Sequence, residues 1–204
     1  MNAAMTSPLQ LAFVLAAVAA SGASAQRGTE SAQPPKSQMP TLGRPTKPTD
    51  ETPLFNFDDY FNGKWTFSWG VPDGVLGSEG TITGTTVYRP LGGKFYEATT
   101  DATGPDGAFK SSELIAYQRE NRTLSRYVTD SRGFSYFETA TVGGDLGGYF
   151  TILWESAPFT YKAKTLRLKH AMRLLSPVNY RVATTVSTGG GPFANYGNPW
   201  WKKE

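Results

Sequence analysis

The chain has 204 residues, with 20 Lys and Arg against 17 Asp and Glu, 22 Gly, 14 Pro and no Cys. Without cysteine there are no disulfides, iron–sulfur clusters, thiolate zinc sites, cysteine nucleophiles or lipid-modified cysteine anchors. Four Lys/Arg and two acids fall in residues 27–50, leaving sixteen and fifteen for 51–204. That near-neutral part carries no basic stripe of the kind that tracks a phosphate backbone, which argues against nucleic acid as a partner.

Residues 9–20 form an apolar run too short to span a bilayer comfortably, followed by Ala23-Ser24-Ala25. This small-x-small pattern suits signal peptidase, so residues 1–25 read as a signal peptide and Gln26 as the new N-terminus. The n-region has no Lys or Arg, only the amino terminus. The expected address is the periplasm or the exterior, with no stable membrane span after cleavage. Residues 26–53 are Pro, Ser, Thr and Gln with single charges, a composition that cannot offset the entropy of ordering and predicts a disordered tether.

From Leu54 onward the pattern is that of a folded domain. Phe55–Phe61 predicts a short helical lid or turn. In Lys64–Trp69, Trp65, Phe67 and Trp69 fall on one side, the alternation of a half-buried strand. Further strands are predicted at Thr81–Arg89, Lys94–Thr100, Ser111–Gln118, Leu124–Thr129, Phe134–Val142, Tyr149–Glu155, Thr165–Leu175 and Tyr180–Ser187, with a last short one near Trp200-Trp201. Turn signals separate them, including Val71-Pro72-Asp73-Gly74, Leu91-Gly92-Gly93 and Gly143-Gly144-Asp145. Nine or ten short strands with hairpin-length links predict an all-β fold. An up-and-down antiparallel barrel is favoured over a sandwich, because so regular a meander can close and remove its edges.

Gly63-x-Trp65 at the start of the first strand resembles the opening motif of lipocalins and the wider calycin group. Leu91-Gly92-Gly93-Lys94-Phe95, with Glu97 two places on, resembles a turn in a family of small bacterial lipocalin-like domains of unknown function. The resemblance spans roughly 54–204 and implies a closed barrel; it assigns no ligand.

His170 is the only histidine. It alternates with Leu166, Leu168, Met172 and Leu174, which places it inside a barrel as a hydrogen-bonded core histidine or, alternatively, as an axial ligand for haem iron. One histidine and no cysteine make a protein-only zinc or copper site a poor prospect, and no cofactor is assigned. Glu97, Glu113, Glu138 and Glu155 fall within strands, and two in one cavity would make an acid/base pair. Charged residues are ordinarily exposed, so these are expected outside or on the rim, neutralised by Arg126, Arg132, Lys162 and Arg181. No Gly-x-Ser-x-Gly elbow is present, and the glycine pairs read as turns. The leading expectation is non-catalytic binding of a small hydrophobic ligand, with Trp65, Phe67, Trp69, Phe150, Trp154 and His170 as the wall. A plain filled core and an enzyme working through carboxylates at the barrel mouth are the alternatives. Nothing in the sequence sets the oligomeric state.

Overall fold

The meander predicted from alternation closes on itself in the computed structural model, which describes residues 54–144 and 149–204. The signal peptide and tether expected in residues 1–53, and Asp145 of the predicted turn, lie outside the described residues. The strands are β1 (Gly63–Val71), β2 (Gly80–Gly92), β3 (Phe95–Gly104), β4 (Gly107–Gln118), β5 (Thr123–Asp130) and β6 (Phe134–Gly144). They continue with β7 (Phe150–Ser156), β8 (Phe159–Tyr161), β9 (Lys164–Ser176), β10 (Asn179–Thr188), β11 (Ala194–Asn195) and β12 (Trp200–Lys203). All pairings are antiparallel, from β1 through β7 to β9, β10, β12 and back to β1, so ten strands close the barrel. Closure leaves the ring without an open edge to recruit another chain. Two further strands are extras: β8 pairs with β9, and β11 with β10.

The seam is made by aromatic neighbours. Tyr180 of β10 stands opposite Trp201 of β12, and Phe67 of β1 opposite the same Trp201. The Trp201 ring stacks at 5.4 Å on Tyr180 and at 4.7 Å on Phe67. Such pairs add roughly 0.5–1.5 kcal/mol beyond the area they bury. Gly92 and Gly93 carry φ of +100° and +62° in the β2–β3 turn, a backbone most side chains resist.

One end of the barrel is plugged by the predicted lid, a single helical turn, α1 (Phe57–Phe61). Asn56 caps it, its side-chain oxygen accepting from Asp58 N at 3.2 Å. Phe55, Phe57 and Phe61 are each at most 2% exposed and drive into the barrel against Tyr88, Tyr96, Tyr117 and Phe150. Tyr117 Oη donates to Phe55 O at 2.9 Å, and Trp65 Nε1 donates to Phe61 O at 2.7 Å. The plug is thus fixed by hydrogen bonds as well as by area. Trp65 has no exposed surface.

A second apolar cluster occupies the other end, with Phe67, Leu76, Ile82, Phe134, Phe159 and Leu168 among its members. Outside, Ser and Thr predominate on β5 and β6, and one apolar row crosses them from β4: Leu114, Tyr127 and Phe137 stand directly opposite one another and are all exposed.

Candidate functional site

Between the plug and the second cluster lies a cavity of about 150 Å³. Its apolar wall comes from alternate positions on several strands, among them Phe67, Ile82, Val128, Phe134, Leu168 and Val182. Its polar wall includes Thr86, Tyr88, Glu113, Arg126, Tyr136, His170 and Thr184. Arg132, held by Asp130 at 2.9 and 2.7 Å, stands among the residues at the loop end.

The residues expected to form the wall divide into two groups. Phe67, Trp69 and His170 line the cavity. Trp65, Phe150 and Trp154 point inward but lie in the plugged-end cluster, with α1 filling the space they would otherwise border. Trp154 forms a backing: its Nε1 donates to Met172 Sδ at 3.1 Å, and Arg126 lies 4.3 Å above its ring. Trp69 donates from Nε1 to Tyr196 O at 2.9 Å.

Two of the four carboxylates contradict the expectation that all lie outside or on the rim. Glu138 is 1% exposed and the Glu113 side chain 13%. Arg126 joins them: Nε donates to Glu138 Oε2 at 2.6 Å and Nη1 to Glu113 Oε2 at 2.7 Å. The placement follows from strand parity. Glu138 alternates with Phe134, Tyr136, Ala140 and Val142; Arg126 with Leu124 and Val128; Glu113 with Ile115 and Tyr117. The β5–β6 register sets Arg126 opposite Glu138, and the β4–β5 register sets Glu113 opposite Val128. A charged residue in phase with an apolar face was the signal available in the sequence. Glu97 and Glu155 do face outward, with Glu155 paired to Arg167 and, at 3.4 Å, to Lys169.

His170 sits opposite Trp154 on β7 and Thr184 on β10. Its Nδ1 is 3.0 Å from Thr184 Oγ1, and its Nε2 is 3.2 Å from Glu138 Oε1 without hydrogen-bond alignment. Burial opposes the Glu138 charge, but Arg126 and then His170 outweigh it and hold the carboxyl down at about 2. Burial also opposes the Arg126 charge, and Glu113 and Glu138 more than compensate, raising its pKa. Burial pushes the phenols of Tyr88, Tyr136 and Tyr180 upward, so they stay neutral hydrogen-bonding groups.

This geometry limits the chemistry. Glu138 is locked as a counter-ion, the opposite of the raised carboxyl that a general acid needs. Glu138, His170 and Thr184 lie in the order of a hydrolytic triad. The adjacent backbone donors are already committed, Thr184 N to Gly197 O at 2.9 Å and Val182 N to Pro199 O at 3.0 Å, so they are not available to an oxyanion. His170 Nδ1 is engaged by Thr184 and Nε2 lies against the buried Glu138 carboxylate, and the cavity of about 150 Å³ falls below the roughly 300–1,000 Å³ of cofactor- and drug-sized sites. Haem ligation through His170 does not fit this arrangement.

No protein-family model matches the sequence, and no curated protein matches it. Among solved structures, the crystal structure of Rv2717c from M. tuberculosis is similar with a TM-score of 0.58 at 13% identity, over 71% of this chain and 92% of that one. A de novo designed fluorescence-activating β-barrel is similar with a TM-score of 0.42 at 13% identity, over 74% of this chain and all of the design. The Rv2717c likeness concerns the fold: an antiparallel β-barrel, closed here by ten strands around a plug and a cavity.

Proposed function

We propose that this is an exported, lipocalin-like barrel that binds a small, mainly apolar molecule in its cavity without transforming it. The observation that carries the reading is the cavity itself: an apolar wall bearing a few converging polar groups between two packed aromatic clusters. That combination is the usual composition of a small-molecule site, with area supplying affinity and polar atoms fixing orientation. At about 150 Å³ the space suits a ligand near the size of one six-membered ring.

Export rests on the 1–25 leader pattern. Among the described residues no helix is long and apolar enough to cross a membrane.

Calorimetric titration of the full chain with benzyl alcohol tests the binding role. The expected result is saturable one-site binding that is lost in Val182→Phe, where the added ring occupies the cavity, with the fold verified by near-ultraviolet circular dichroism. Equal binding by wild type and the filled variant would place the ligand elsewhere and end this reading.

A further inference from the structure

Arg126 is the more deeply buried of the two arginines on the cavity wall. An arginine in an apolar barrel invites a carboxylate ligand, but here Arg126 is already shared between two carboxylates of the chain. Its Nη1 holds Glu113 at 2.7 Å, and its Nε and Nη2 hold Glu138 at 2.6 and 2.5 Å. The trio carries one net negative charge. At the loop end Arg132 adds nothing to the balance, because Asp130 pairs with it and the guanidinium lies 3.9 Å over the Phe109 ring. Trp201 Nε1, a buried donor without a partner, bears no formal charge. His170 contributes charge only when protonated, and then it stands against Glu138.

Of the two inner carboxylates, Glu113 is the one on the cavity wall. Its Oε2 is engaged by Arg126, whereas Oε1 has no partner among the described residues. Glu138 is shut behind Arg126 and His170 with its side chain fully covered. An entering anion therefore meets uncompensated negative charge in a setting where water screens poorly. An entering cation meets the Glu113 carboxylate oxygen that Arg126 leaves free, on a wall that also carries the rings of Phe67, Phe134 and Tyr136.

Resting on the binding role above, we propose that the cavity selects a small organic cation, a protonated amine carried on one ring, with Glu113 as its counter-ion, and that it rejects carboxylates of the same shape. A charge-assisted hydrogen bond exceeds a neutral one by enough to give about tenfold in affinity.

Three probes of one shape separate the possibilities: benzylamine, benzyl alcohol and benzoate, titrated calorimetrically into the full chain at pH 8. Benzylamine is expected to bind about tenfold more tightly than benzyl alcohol, and benzoate to show no saturable binding. Glu113→Gln is expected to abolish the preference for benzylamine over benzyl alcohol, both titrated into the same variant. Should that variant fail to fold, the wild-type ranking decides alone. Benzyl alcohol binding with benzylamine no tighter, or with benzoate as tight, overturns the cation preference and leaves the cavity role standing. Failure of all three probes to bind overturns both.

Discussion

Replacing Arg126 by Met keeps the volume and the apolar stem but removes the charge between Glu113 and Glu138. Taking one partner from a buried ion pair leaves an uncompensated charge, at a cost of about 3–5 kcal/mol. The carboxyl itself gives an independent magnitude. Glu138 moves from an ordinary 4.5 to about 2 in the folded chain, a difference of about 3 kcal/mol in favour of the folded state at neutral pH. Because the folded pKa is depressed, that contribution is complete above about pH 4.5 and disappears as pH falls toward about 2. In Arg126→Met, burial and the like charge of Glu113 are opposed by His170 alone, and together they push the folded pKa above the unfolded one. The sign then reverses: stability rises as pH falls through the raised folded pKa toward 4.5, since the folded state now binds the proton more tightly. Urea unfolding followed by tryptophan fluorescence at a series of pH values measures both effects. Subtracting variant from wild type cancels the carboxylates outside the trio. A variant that keeps the wild-type acid slope, or that loses less than about 1 kcal/mol at pH 7, would refute the buried trio.

Trp65→Ala empties a fully covered site under α1 and removes the bond to Phe61 O; it should cost about 3–5 kcal/mol in the same assay, and a loss below about 1 kcal/mol would contradict the plug. In a Gram-negative host the mature chain should be recovered from the periplasm beginning at Gln26, as read by intact mass; uncleaved Met1 in the membrane fraction would contradict export.

Much of the barrel was legible because its strands alternate cleanly. Trp65, Phe67 and Trp69 on β1 and Leu166 through Leu174 on β9 announce their inner faces, and Gly and Pro mark the turns between strands. The two strands that escaped, β8 and β11, have three and two residues, too few for a period to emerge. The division between plug and cavity was not legible. Period two gives the face a side chain occupies but not its height in the barrel, which depends on strand register around the whole ring. Trp65 and Phe67 share a face, yet one lies beneath α1 and the other on the cavity. The charged trio was hidden for a different reason. Frequency places Glu and Arg outside, while phase places Glu113, Arg126 and Glu138 inside, and phase prevails because a one-residue slip would expose Ile115, Val128 and Ala140 instead.

Where a small apolar molecule sits on this protein decides whether the barrel is a binding protein of the kind proposed. The exterior row of Leu114, Tyr127 and Phe137 offers a competing apolar surface, so binding alone does not locate the ligand. Intermolecular nuclear Overhauser effects from benzyl alcohol to methyl-labelled protein resolve it. Binding in the cavity predicts contacts to the methyl groups of Val128, Leu168, Met172 and Val182 inside the barrel. Contacts confined to Leu114, with the interior methyls silent, would contradict it.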